Sequence, residues 1–330
     1  MRRVSLADVA KAAGVAKATA SRALSAEQHD VGAATRARIQ EVAADLGYRP
    51  NRAAQSLRTG RRQLLGAVVP TGTAGWEPIL RGAAEQARKR GYHLVLHTVG
   101  AGFDGRQLAA DLTGLTIDGV LLIGLERSVP APSREDGQPL PTVLVEEELT
   151  HADGTIVRTA LWTAGRTAAR RLLDEGRTAP AVLVPPGRSA STAALTQGFR
   201  DTCAEAGHPV ADRRVRELDP AETVDLRSFL RPVDGLFACT GPLAVTALRA
   251  LHRMDVAVPR DASVIAYGDG DLLRHAEPPI TVLRLPHELL GARAADVLVD
   301  TIEQVIAPPV MVELAAELVV RGSSAPYPVP

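Results

Sequence analysis

The chain has 330 residues, 45% apolar and 23% charged, with a formal net charge of zero, which is typical of a globular protein of two or three domains. No apolar run reaches the roughly 20 residues of a membrane helix, and the N-terminus lacks the apolar core of a signal peptide. We therefore expect a cytoplasmic protein with no membrane partner. Its two cysteines, Cys203 and Cys239, are expected to be reduced and structural.

The charge is unevenly distributed. Residues 1–62 contain 12 Lys and Arg against 5 Asp and Glu, whereas the remainder contains 26 against 33. A basic head on an acidic body is typical of a phosphate-binding module attached to a second unit. The sequence therefore predicts a nucleic-acid-binding N-terminal domain.

Three short helices are predicted in residues 1–48. Ser5 precedes an apolar-periodic stretch and has Asp8 three residues later, a capping-box pattern, and Gly14 ends that helix. The second helix is expected over about 16–24. The third is expected over about 35–46, ending at Gly47.

The first two helices have the spacing of a helix-turn-helix motif, in which small residues let the helices cross closely. The second helix would present Lys17, Ala18, Ser21 and Arg22 outward, towards a DNA major groove. Hydroxyls at Thr19 and Ser21 suit phosphate oxygens, and the Arg22 guanidinium suits the O6/N7 edge of guanine.

From Leu64 onwards, short apolar strands alternate with amphipathic helices, which indicates parallel α/β structure. The predicted strands are 64–69, 93–98, 118–123, 142–146, 179–184, 234–239, 262–267 and 280–284. The predicted helices lie near 77–90, 162–175, 190–206, 243–254 and 287–305.

An internal repeat is visible within this region. Residues 65–70 resemble 180–185, and residues 117–122 resemble 233–238, both at an offset of roughly 115 residues. Chance similarity between apolar strands is the alternative, but the shared offset favours duplication. Two α/β lobes in tandem imply a cleft between them, at the carboxyl ends of the strands.

Several motifs match a known family. They are Val4-Ser5-Leu6-Ala7-Asp8-Val9-Ala10, Ala13-Gly14-Val15, Ser21-Arg22, the run from Leu46 to Leu57, Gly198-Phe199-Arg200, Val258-Pro259-Arg260-Asp261 and Pro278-Pro279-Ile280-Thr281. On these residues the chain resembles the lactose-repressor (LacI/GalR) family over nearly its whole length. The resemblance implies a homodimer that binds a near-palindromic double-stranded operator and represses transcription.

The expected fold is a small all-α helix-turn-helix head followed by a two-lobed α/β body. The body would consist of two Rossmann-like parallel-sheet subdomains, similar to periplasmic binding proteins. The expected divisions are a DNA-binding domain at 1–48, a hinge helix and linker at 49–62, and an effector-binding and dimerisation domain at 63–330. Within the body, we expect a first lobe of about 63–160 plus 287–310 and a second of about 161–286 plus 311–330.

The resemblance also implies which residues contact DNA. They are Ser5, Lys17, Ala18, Thr19, Ser21 and Arg22 in the head, and Asn51, Arg52, Gln55 and Leu57 in the hinge. Leu57 matches a residue that enters the minor groove, with packing on the body as the alternative. Ala16 stands where the family usually has a capping Ser, so about 1 kcal/mol of capping is expected to be missing.

The match weakens in the effector cleft. Sugar-responsive members bind ligand hydroxyls with an Arg, an Asn-Asp pair and an Asp at positions held here by Leu195, Thr240-Gly241 and Gly268. Asp269 is either a remaining cleft acid or a loop cap. The other cleft candidates, each weighed against a role in the core, are Trp76, Phe103, Trp162, Tyr267 and His287. The sequence thus predicts an apolar cleft that does not bind common sugars.

The sequence is compared with three classes of function. The first is a repressor released by a non-sugar small effector, and the second is a ligand-blind or protein-controlled DNA-binding regulator. A solute-binding protein would have no use for the basic head. The run Glu146-Glu147-Glu148 is expected to be a solvated strand end. No catalytic or metal-binding motif is present, so no enzyme activity, cofactor or metal is expected.

Overall fold

The computed structural model describes residues 4–24, 31–48, 61–72, 75–100, 102–125, 129–134, 136–146, 154–187, 189–220 and 225–324. The described part of the head contains three helices: α1 (Leu6–Ala12), α2 (Lys17–Ala23) and α3 (Ala33–Asp45). They enclose a small core of side chains contributed by all three: Val9, Ala10, Ala13, Ala20, Ala23, Ile39 and Ala43.

The two turns predicted from glycine are present. Gly14 and Gly47 both adopt a φ of 64°, a left-handed conformation that glycine reaches without steric cost. The capping box also forms, because Ser5 accepts from the Asp8 backbone N–H while the Asp8 carboxylate accepts from the Ser5 N–H. The local signals at the start of the chain therefore agree with the observed helix bounds.

The first lobe is built on a six-stranded parallel sheet in the order β11-β5-β4-β3-β1-β2. Its elements are β1 (Leu64–Pro70), α4 (Glu77–Lys89), β2 (His93–Val99), α5 (Gly105–Thr113), β3 (Gly119–Ile123), β4 (Thr142–Val145), β5 (Thr155–Thr159), α11 (His287–Ile302) and β11 (Met311–Leu314).

The second lobe repeats this arrangement, with the strand order β12-β10-β9-β8-β6-β7. Its elements are α6 (Leu161–Asp174), β6 (Pro180–Val184), α7 (Ala190–Glu205), β7 (Val215–Glu217), α8 (Arg227–Leu230), β8 (Gly235–Ala238), α9 (Gly241–Arg253), β9 (Ser263–Tyr267), α10 (Asp271–Arg274), β10 (Thr281–Arg284) and β12 (Glu317–Val319). Only the pairing of β12 differs, since it is antiparallel to β10. The matching strand orders agree with the duplication inferred from the sequence repeat.

In each lobe, two helices approach each other closely at a glycine. A Cβ on Gly291 of α11 would lie 1.8 Å from the Ile79 carbonyl oxygen of α4. In the second lobe, a Cβ on Gly198 of α7 would lie 2.0 Å from the Trp162 carbonyl oxygen of α6. Only glycine allows backbones to approach this closely. The Gly198-Phe199-Arg200 motif is thus explained by helix packing.

The chain crosses between the lobes three times, after β5, after β10 and after β11. The third crossing corrects one expected boundary. Met311–Leu314, which we expected in the second lobe, pairs with β5 of the first sheet, and only β12 pairs in the second. The reason is that β11 and β12 are separated by two residues, too few for the sequence pattern to show a change of sheet. None of the helices in the described ranges is long and apolar enough to cross a membrane.

Candidate functional site

The second helix of the head presents a polar face to solvent. Lys17, Ala18 and Arg22 are exposed, while Thr19 and Ser21 are half-buried. On the opposite face Ala20 and Ala23 are buried against α1 and α3. One face of α2 therefore packs on the rest of the head through small side chains, and Lys17 and Arg22 on the other face are exposed to solvent.

The start of α2 differs from that of α1. Ala16 occupies the N-cap position and makes no side-chain hydrogen bond, whereas Ser5 caps α1. The Ser5 hydroxyl also donates to the Asp8 carboxylate at 2.7 Å. The structure therefore confirms the prediction that Ala16 provides no side-chain cap for α2. The hinge residues Asn51, Arg52, Gln55 and Leu57 lie outside the described residues.

A cavity of about 320 Å³ lies where the two lobes meet. The first lobe contributes Glu146, Arg158 and Glu313, and the second contributes the start of α7, including Ser191. The crossing segment Ala160–Thr163 completes the lining, with the Trp162 ring among it. The lining therefore combines carboxylates, a guanidinium, a hydroxyl and an indole.

Glu146 is the most constrained of these residues. It follows β4 with a φ of 52°, a left-handed conformation that is rare for non-glycine residues. Its Oε1 accepts from the Thr159 N–H at 2.6 Å and from the Thr159 hydroxyl at 2.5 Å. Burial raises the pKa of the Glu146 carboxyl, partly opposed by those hydrogen bonds. The expectation of a solvated strand end is wrong for Glu146.

The other charged groups of the cavity are paired. Arg158 donates from Nε to Glu313 Oε1 at 2.9 Å, and its Nη2 lies 2.8 Å from the same oxygen. The Trp162 indole N–H donates to Asp201 at 3.0 Å, and the Arg166 guanidinium lies 4.7 Å from the Trp162 ring centroid. Trp162 thus contributes ring carbon to the cavity, since its single donor is already used.

Two expected cleft residues are core residues instead. Leu195 is 2% exposed and packs in the interior of the second lobe, because α7 is pressed against α6 at Gly165 and Gly198. Phe103 packs against the core of the first lobe. Neither lines the cavity. The predicted apolar cleft is therefore wrong at these positions.

Asp269 acts as a loop cap and ion-pair centre. Its carboxylate, 5% exposed, lies 2.8 Å from Arg321 and 3.0 Å from Arg284, and it accepts from the Gly270 N–H. Burial alone would raise the pKa of Asp269, but hydrogen bonds from Arg321 and Arg284 hold it below the ordinary value. Of the two readings left open by the sequence, the structure supports the cap.

The remaining candidates lie near the strand ends without lining the cavity. Tyr267 is half-buried at the end of β9, and burial raises its pKa well above the ordinary value. Trp76 packs against the first-lobe core with its buried indole N–H unpaired among the described residues. Thr240 precedes α9 without capping it. At His287, burial lowers the pKa.

Sequence reasoning missed the charged residues of the cavity, Glu146, Arg158 and Glu313, and the hydroxyl of Ser191. Arg158 and Glu313 lie on β5 and β11, strands that the apolar pattern did not reveal. Glu146 could have been found, because it directly follows a predicted parallel strand, and such strand ends form ligand sites.

Comparison with known proteins identifies the family. Residues 5–51 match the model described as bacterial regulatory proteins, lacI family. Residues 62–227 match periplasmic binding proteins and the sugar binding domain of the LacI family, and residues 149–324 match a periplasmic binding protein-like domain. The chain belongs to the LacI family. The resemblance and the fold class predicted from the sequence are both confirmed.

Individual relatives agree along the whole chain. The HTH-type transcriptional regulator CelR of Thermobifida fusca is 32% identical, with 98% of each chain covered. The ribose operon repressor of Escherichia coli K12 is 28% identical over 96% of this chain and 98% of the relative.

Solved structures agree as well. A transcriptional regulator CelR–cellobiose complex superimposes with a TM-score of 0.69 at 30% identity, covering 98% of this chain and all of that one. The Lac repressor dimer bound to operator and the anti-inducer ONPF has a TM-score of 0.70 at 22% identity, covering 98% of this chain and 99% of that one, which shows the shared fold.

Proposed function

We propose that this protein is a transcriptional repressor that binds a near-palindromic operator as a homodimer and is released by a small effector bound between its lobes. The observation that carries the proposal is the exposed face of α2, where Lys17, Ala18 and Arg22 project from a helix-turn-helix core. A helix held in this way can enter a major groove. Because chromosomal DNA is the target, we place its action in the cytoplasm.

Two exposed apolar surfaces support the homodimer. The edge strand β2 exposes 44% of Val95 and 49% of Leu96 on neighbouring positions, although an isolated edge strand usually carries charge. The second lobe has a groove of about 480 Å³ whose surface is mostly apolar, at Val245, Leu248 and Ala276, although Arg249, His252, Arg253 and Glu277 also line it. A second copy of the chain could cover both surfaces in a dimer.

The cavity supports a ligand-responsive regulator over a ligand-blind one. Loss of the family's polar groups at Leu195, Thr240-Gly241 and Gly268 argued for a non-sugar effector. The described lining is mixed, because Glu146, Arg158, Ser191 and Glu313 supply other hydrogen-bonding groups beside apolar residues such as Leu161 and Trp162. Such a lining suits a hydroxylated molecule. The similar CelR structure holds cellobiose, which supports a carbohydrate-like effector here.

The proposal is tested by measuring operator binding of the full chain. DNA upstream of its own gene, labelled with a fluorophore, is titrated with protein at several salt concentrations. We expect binding that weakens steeply, by roughly 0.9 in log–log slope per phosphate contact. Binding that is insensitive to salt, or equal for unrelated DNA, contradicts the proposal. Sedimentation of the free protein reports the dimer independently.

A further inference from the structure

The Glu146 carboxylate in the inter-lobe cavity makes no direct ion pair with the residues that the structure describes, although the positive charge of Arg158 attracts it at longer range. Among the described residues, Thr159 alone donates to it, through its N–H and its hydroxyl, and both bonds reach Oε1. Arg158 also lines the cavity, but its guanidinium makes two contacts with Glu313. A half-buried carboxylate in this position favours a ligand that brings positive charge or donors.

The charged groups that line the cavity favour the same class of ligand. When both carboxyls are ionised, Glu146 and Glu313 carry two negative charges against the single positive charge of Arg158. An anionic ligand would then be repelled by this net negative charge. The lining therefore disfavours phosphorylated or acidic molecules.

The Trp162 ring limits the shape of ligand that the cavity can bind. With its N–H bonded to Asp201 and Arg166 stacked on its ring, it offers the cavity apolar carbon rather than a donor. Apolar ring carbon suits the C–H face of a pyranose or another flat, partly apolar ring. The Ser191 side chain at the start of α7 lines the same cavity and can bond a hydroxyl.

We propose that the effector is an aminated sugar, or a closely similar hydroxylated amine, whose ammonium group pairs with Glu146 and whose ring lies against Trp162. This inference rests on the proposed function, since it names the ligand class of the inter-lobe cavity. Pairing would satisfy the second carboxylate oxygen, which has no donor among the described residues. Glu146 then determines specificity for cations over neutral sugars.

At a pH below the raised pKa of the Glu146 carboxyl, a proton should leave when such a ligand binds. Burial holds the pKa of the Glu146 carboxyl above its ordinary value, and a bound ammonium stabilises the ionised form. Affinity for the amine should accordingly rise as pH increases through that raised pKa. The charged and titratable groups nearest to Glu146 are Arg158, Glu313 and Tyr267, and Tyr267 stays protonated because its own pKa is raised.

The test is calorimetric titration of the full chain with three probes that share one ring: glucosamine with its amine protonated, glucose and glucuronate. We expect glucosamine to bind roughly tenfold more tightly than glucose, since a charge-assisted hydrogen bond replaces a neutral one, and glucuronate not to bind. Repeating the titration at decreasing pH in two buffers of different ionisation enthalpy should show proton release with glucosamine alone, once the pH lies below the raised pKa of Glu146.

Glu146→Gln is the informative variant, because the amide oxygen still accepts from Thr159 while the charge is removed. It should abolish both the preference for glucosamine and the proton release. Ser228→Ala, an exposed position on α8, is the control. Equal or tighter binding of glucose, binding of glucuronate, or no binding of glucosamine to the wild type overturns the inference. Release of operator by glucose alone would also overturn the inference, but it would leave the proposed function intact. Absence of operator binding would contradict the proposed function itself.

Discussion

Asp118 and Asp234 cap the first strand of their own lobe in the same way. Asp118, 4% exposed, accepts from the backbone N–H groups of Arg62 at 2.9 Å and Gln63 at 2.6 Å. Asp234 accepts from those of Thr178 at 2.9 Å and Ala179 at 2.7 Å. Each Asp directly precedes a glycine that begins β3 or β8. The aspartates therefore hold the chain where it enters each sheet.

Replacing either aspartate should lower stability. An Asn at position 118 or 234 keeps one oxygen, but its NH₂ group cannot accept the second backbone N–H. We expect each variant to lose about 1–3 kcal/mol in the free energy of unfolding, measured with urea. Asp174→Asn, at an exposed position, is the control and should change it by less than about 0.5 kcal/mol. Full stability of Asp118→Asn would refute the capping role.

The glycines between helices should tolerate no side chain. In Gly198→Ala and Gly291→Ala the new Cβ would meet a backbone carbonyl oxygen at 2.0 Å and 1.8 Å, so the helix pairs must separate. We expect a loss of about 3 kcal/mol or more, or no folded protein. Gly270→Ala is the matched control, since its φ of −170° suits any residue and its Cβ would meet open space. Normal melting temperatures for the two helix variants would contradict the observed packing.

Asp269 should contribute to stability rather than to effector binding. Asp269→Asn leaves Arg321 and Arg284 without their shared carboxylate, and we expect a loss of about 2 kcal/mol, reduced because Arg284 is 43% exposed. Since the folded pKa of Asp269 is lowered, its contribution is present above the carboxyl pKa of the unfolded chain. It disappears as pH falls through the folded pKa. Urea unfolding at several pH values measures this, and a variant that binds effector more weakly at unchanged stability would contradict it.

Arg22 should contribute directly to operator recognition. Arg22→Ala is expected to cost about 1–3 kcal/mol of operator affinity and to relax preference at one base pair, because its guanidinium is exposed on the outer face of α2. Arg227→Ala on α8 removes the same charge from an exposed position of the second lobe and serves as the control. If fluorescence anisotropy gives both variants the wild-type affinity, Arg22 does not contact bases.

Local signals were sufficient for much of the fold. The capping box at Ser5 and Asp8, the turns at Gly14 and Gly47 and the repeat containing Asp118 and Asp234 depend on neighbouring residues, and each has the predicted structure. The strands β5, β7, β11 and β12 were missed because they are short and mix charged with apolar residues. Their pairing is decided by contacts far along the chain.

The cavity was less predictable for the same reason. Leu195 was placed in the cleft by resemblance, but close helix packing at Gly165 and Gly198 buries it in the core. Glu146 was read as solvated from its acidic neighbours, yet Thr159 on the adjacent strand turns its carboxylate inwards. Such placements follow from tertiary contacts within each lobe, which a single sequence does not display.

Selection of DNA from a random duplex library by the full chain shows whether this protein recognises a two-fold symmetric operator. If two α2 helices read opposite half-sites, the enriched sequences should share one near-palindromic motif, with half-sites about one helical turn apart. Arg22→Ala should retain the spacing and lose information at one position of each half-site. Enrichment of no motif, or of a motif without two-fold symmetry, would contradict the account of this protein as a dimeric, sequence-specific repressor.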